Sequence, residues 1–99
     1  MKPNALGWID PTSPSVEWDQ AQVRRLARRL GYRLEWLNPR SVLGFVEQVE
    51  ASECEAVLVP SSAHLDAATL NRLLGTTDVE CAAPRESFSC WSRAAGYRR

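Results

Sequence analysis

A chain of 99 residues, 44% hydrophobic and 24% charged, suits one small domain with one modest core and excludes a catalytic domain paired with a separate recognition domain. Formal net charge is zero, so bulk charge gives no support to nucleic-acid binding, which ordinarily shows a basic excess or patch. Three widely spaced cysteines, Cys54, Cys81 and Cys90, with no CxxC pair and a single histidine, argue against a zinc site or a disulfide framework.

Reduced, buried thiols of a cytoplasmic protein are expected instead, with no metal and no cofactor. The first residues lack the apolar run of a secretory signal, and no stretch approaches the roughly 18 apolar residues of a membrane span. Lys2 is the only lysine among twelve basic residues, a bias we read as that of a GC-rich bacterial coding sequence.

Ala5 to Ile9 is an apolar run that stops at Asp10-Pro11, a buried strand leading into a loop. Within that loop Ser13 or Ser15 is placed to cap the next helix. Val16, Val23, Leu26, Ala27 and Leu30 recur at helical spacing, with Arg24, Arg25, Arg28 and Arg29 mainly opposite and Gly31 as the stop. Tyr32 to Leu37 alternates and reads as a second strand, ended by Pro39. Val42, Phe45, Val46 and Val49 predict a helix from Ser41 to about Ala51. Ala56 to Pro60 is the clearest strand, and its unbroken apolar run predicts burial on both faces. After the loop Ser61 to Leu65, Asp66 caps a short helix from Ala67 to Leu74, closed by Gly75. Val79 to Ala83 is a fourth strand.

Alternating strands and helices predict a three-layer α/β/α domain over residues 1–83, with about four mostly parallel strands. Residues 84–99 read as a partly flexible extension with a short turn around Phe88 to Trp91 and a basic, mobile end.

Gly7-Trp8-Ile9-Asp10-Pro11-Thr12, then Asp19-Gln20-Ala21-Gln22 through Leu30-Gly31-Tyr32, then Val57-Leu58-Val59-Pro60 leading into Ser62-Ala63-His64-Leu65, follow one another in a telling order. In that order and spacing the chain resembles the N-terminal catalytic domain of serine recombinases of the resolvase/invertase family, over roughly residues 5 to 83. The resemblance implies the strand order 2-1-3-4. It also implies a hydroxyl nucleophile at the end of the first strand, with arginines after the first and third strands stabilising charge on a DNA phosphate. Here Asp10 and His64 stand at those arginine positions, and Thr12 or Ser13 at the nucleophile position. The family's long dimerisation helix and DNA-binding domain have no counterpart. The resemblance therefore implies a degenerate, shortened relative without strand-exchange activity.

Open parallel sheets bind ligands outside the carboxyl ends of their strands, where strand order reverses. Under the implied order that point lies between strands one and three. There Asp10, Thr12, Ser13, Ser61, Ser62 and His64 converge as candidate ligand-binding residues. Three readings compete: a Ser/His/Asp hydrolase built from Thr12, Ser13, His64 and Asp10, an anion or small-ligand pocket, and loop capping and packing alone.

Arg24, Arg25, Arg28, Arg29 and Arg33 form either a basic face for a partner or the solvated side of an amphipathic helix, with Glu17, Asp19, Glu35, Glu47 and Glu50 as candidates for pairing. Trp8 and Trp36 belong to the core. Trp18 and Trp91, with Arg24, Arg25 and Arg28, are the candidate partner contacts, and surplus aromatics in so small a domain suggest a homodimer. Three functions follow. The first is a non-catalytic protein-interaction or regulatory module. The second is a small ligand-binding protein or hydrolase using the crevice at the ends of strands one and three. The third is a DNA-associated accessory protein using the arginine-rich helix.

Overall fold

The first strand, β1, spans Asn4–Gly7 and gives way to a loop at Trp8. These positions come from a computed structural model, which describes residues 2–91 of the chain. Helix α1, Val16–Leu30, buries Val23, Leu26 and Ala27, the spacing of one apolar face. It ends at Gly31, whose φ of 80° is the left-handed closure that lets backbone N–H groups return to the Ala27 and Arg28 carbonyls. Strand β2, Arg33–Trp36, alternates exposed and half-buried residues, as an edge strand covered on one face does.

Helix α2, Phe45–Ser52, starts four residues after the expected start at Ser41. Val42 is fully exposed, at 102%. The reason is a loop held by one side chain. Gln48 Oε1 accepts the Asn38 N–H at 3.0 Å, and Gln48 Nε2 donates to the Asn38 and Leu43 carbonyls. These bonds pin residues 38–43 in a non-helical path. Ser15 takes the N-cap position of α1, its carbonyl accepting the Asp19 N–H at 2.9 Å, but neither Ser13 nor Ser15 makes a side-chain cap bond, and the Ser13 hydroxyl is turned towards Asp19.

Strand β3, Ala56–Val59, is buried at all four positions, as its unbroken apolar run demands. A 3-10 turn at Ser62–His64 precedes α3, Ala67–Leu73, where Asp66 Oδ1 accepts the Thr69 N–H at 2.7 Å. Strand β4, Asp78–Cys81, is followed by β5, Glu86–Phe88. The sheet order is β2-β1-β3-β4-β5. The first four strands are parallel and β5 runs antiparallel to β4. The implied order 2-1-3-4 therefore holds, and the strand count is corrected from four to five. Glu86-Ser87-Phe88 carries no apolar period of its own. Its pairing is set by the neighbouring strand and by Arg85, which reaches the Cys81 and Glu86 carbonyls.

α1 packs against one sheet face, with Ala5, Ala56 and Leu58 beneath it. α2 and α3 cover the other, where Val46, Val49 and Leu73 meet Leu6, Val57, Val59 and Val79. This is the expected three-layer arrangement. Among the described residues no helix is long and apolar enough to cross a membrane, and no group of three or more His, Cys, Asp or Glu is placed to hold a metal ion. The basic end expected to be mobile lies mostly at 92–99, outside the described residues.

Candidate functional site

The loops after β1 and β3 meet, as neighbouring parallel strands require, and the polar side chains on them are bonded to one another. The His64 ring accepts the Asp10 N–H at Nδ1, 3.0 Å away. Its proton therefore sits on Nε2, which faces Asp19 Oδ2 at 3.7 Å. The same Asp19 oxygen accepts the Ser13 hydroxyl at 2.5 Å. Trp8 closes the junction from below, its indole N–H donating to the His64 carbonyl at 3.2 Å.

Thr12 turns inward on its own loop. Its N–H and hydroxyl both donate to Asp10 Oδ1, at 2.9 and 2.7 Å. These bonds hold the Asp10 carboxyl below its usual range. Ser61 accepts the Ala63 N–H and so caps the 3-10 turn. Ser62 contributes its carbonyl, which accepts the Leu65 N–H.

Of the six residues expected to converge, Asp10, Thr12, Ser13 and His64 share one network, while Ser61 and Ser62 serve local turns. The member missed from sequence is Asp19, 7% exposed on the first turn of α1. Its signal was available: an aspartate on the helix face that carries Val23 and Leu26 needs a polar partner once buried. Asp19 stands between the serine and the imidazole. In a hydrolytic triad the imidazole stands between serine and carboxylate. Here neither Thr12, Ser13 nor Ser61 hydrogen-bonds the His64 ring, so no hydroxyl is paired with the one side chain suited to take its proton.

The open space lies one strand over. A cleft of about 530 Å³ sits above the carboxyl ends of β1 and β2, between the start of α1 and the start of α2. That volume falls in the range of roughly 300–1,000 Å³ typical of small-molecule sites. Trp8 and Phe45 stack along one wall, centroids 4.6 Å apart. Trp36 lines the cleft, while Val16 and Leu43 are exposed apolar residues on its lining. No ionisable side chain lines it, and none of the six converging residues does. The Gln48 amide is spent on the loop. The Gln20 amide, also on the lining, makes no hydrogen bond among the described residues. Trp8 and Trp36, assigned from sequence to the core, are half-buried and border this space.

The arginines of α1 are exposed, and none forms an ion pair among the described residues. The candidate partners are placed elsewhere: Asp19 serves Ser13 and His64, and Glu47 pairs with Arg72 at 3.5 Å. Arg24 instead lies over the Trp36 ring, 5.9 Å from its centroid. Trp18 and Trp91 are 63% and 50% exposed. The Trp91 main chain is tied back to the Leu74 carbonyl, and Cys90 N–H to Asp78.

Searches against protein-family models, curated proteins and solved structures give no match to this chain.

Proposed function

We propose that this chain is a non-catalytic binding protein that takes a small apolar ligand in the cleft above β1 and β2. The observation that carries this is a contrast between two neighbouring places. The Ser/His/Asp cluster is closed on itself, with each hydroxyl bonded to a carboxylate. The adjacent cleft is open, aromatic-walled and free of ionisable lining. Apolar concavities with a few placed amides are what small-molecule sites consist of.

Kinship with resolvase-type domains, in degenerate form, is part of the same proposal. The kinship is supported by the parallel order 2-1-3-4, and its degenerate form is read from Asp10 and His64, which depart from the arginines the resemblance calls for. A ligand-bearing domain of this kind acts by presenting a surface to a protein partner or a second copy. The exposed indoles of Trp18 and Trp91 are the side chains suited to that.

The test is a fluorescence titration with N-phenyl-naphthylamine, an uncharged dye that brightens in apolar sites. The expected result is one saturable site, weakened at least about tenfold by Leu43→Asp, which puts a charge beside the bound ring at a cost of the order of one lost apolar contact plus desolvation. Leu43 is 43% exposed, so this change leaves the core intact. Ser13→Ala is expected to leave dye affinity unchanged. Absence of saturable binding, or binding indifferent to Leu43→Asp, overturns the proposal. Ester hydrolysis lost in both Ser13→Ala and His64→Ala would establish the hydrolase reading instead.

A further inference from the structure

We infer that the ligand of this cleft is an apolar or aromatic monoanion, its ring system against Trp8 and Phe45 and its charged group at Arg24. The inference rests on the cleft being the binding site and adds the charge of what it binds.

Three observations converge on Arg24. Val16 and Gln20 line the cleft, and Arg24 follows them at the next i+4 step. Positions i, i+4 and i+8 lie in one row along a helix, each about 6 Å from the last. The row that forms the α1 wall therefore runs out of the apolar space onto a guanidinium. Second, that guanidinium is already tied to the wall from the other side, because it lies over Trp36, which lines the cleft. A cation–π contact holds the group in place without neutralising it. Third, Arg24 has no carboxylate partner among the described residues. Within the cleft, the free amide of Gln20 lies between the apolar floor and this charge.

The arrangement is amphipathic in one direction: aromatic wall, then amide, then cation. An uncharged ligand uses the first part alone. A dianion or an extended polyanion has one guanidinium to meet and an apolar floor to desolvate against. A carboxylate or sulfonate carried on a flat ring system uses all three. Arginine suits this role because its planar fork offers paired donors to such an oxyanion. Arg29 stands on the same helix, five residues further on and outside this row.

The experiment compares two dyes that differ by one sulfonate: anilinonaphthalene sulfonate and uncharged N-phenyl-naphthylamine, at low salt. The folded protein is expected to bind the sulfonate about tenfold more tightly, the scale of one charge-assisted hydrogen bond. Arg24→Gln is expected to abolish that preference while leaving the uncharged dye's affinity within about twofold. Arg29→Gln, which removes the same net charge, is expected to keep the preference. Equal affinity for the two dyes in the wild-type protein overturns the inference and leaves the cleft as a site for neutral ligands. So does a preference that survives Arg24→Gln or is lost equally in Arg29→Gln. Failure of both dyes to bind overturns the site itself. Retained cooperative thermal unfolding in each variant separates loss of a contact from loss of the fold.

Discussion

Asp10 illustrates how a side chain's meaning depends on its immediate bonds. As a carboxylate at the end of β1 it invited a catalytic reading. Its oxygen is occupied by the N–H and the hydroxyl of Thr12, two residues away. Those donors favour the charged form and hold its pKa down. A carboxyl lowered in the folded state binds its proton less tightly there than in the unfolded chain. The stability it contributes is therefore full above the ordinary value of 3.8 and fades as pH falls through the folded value. Thr12→Val removes the hydroxyl and keeps the N–H, so the Asp10 carboxyl should titrate higher, though still below its ordinary value, as read by carbon-detected NMR.

Cys81 shows the converse, since burial pushes its thiol up to about 11. Cys54 and Cys90 are buried with it as free thiols. Thiol reagents act on the thiolate at accessible sulfur. In the native protein all three cysteines should resist a disulfide dye for the time in which unfolded chain reacts completely; rapid modification of any one would show that its cover opens.

At the scale of elements, helix ends were readable where the residue type itself does the work. Gly31 was assigned as a stop and Asp66 as a cap, and both roles are local chemistry that any tertiary setting preserves. Gly31 has no neighbour within 4 Å of an added Cβ. Gly31→Ala should therefore cost only the left-handed backbone penalty, about 1 kcal/mol. On a domain of this size that is a fall in Tm of about 4–8 °C. Glu53 closes α2 with φ of 55°, a conformation that favours glycine. Glu53→Gly should raise Tm by up to a similar amount, and calorimetry of the two variants checks both signs. The start of α2 and the existence of β5 were not readable in the same way. The first depends on Gln48 folding back over residues 38–43. The second depends on β4 offering an edge to three residues with no pattern of their own.

For the whole molecule, the α/β class, the mostly parallel pairing and the burial of β3 follow from the alternation of apolar runs and amphipathic stripes, because those patterns record which faces must leave water, whereas the order 2-1-3-4 was only implied by the family resemblance. Four residues of the polar junction, Asp10, Thr12, Ser13 and His64, were also legible, since loops at the carboxyl ends of adjacent parallel strands have to meet. Their partnership was not. That Asp19 takes the serine's proton-bearing hydroxyl, and that the imidazole looks at Asp19 and a backbone N–H, depends on the angle at which α1 crosses the sheet. The cleft was illegible for the same reason. Trp8, Trp36 and Phe45 are far apart in sequence and read singly as core. Only the packing of α1 and α2 on opposite faces leaves a space between their first turns, with these rings around it. Sequence by itself determined the periods, the stop at Gly31 and the cap at Asp66, which are properties of short segments and of solvent. Tertiary structure alone decided which polar groups satisfy one another and where the molecule stays open, because both depend on distances between segments that no local pattern encodes.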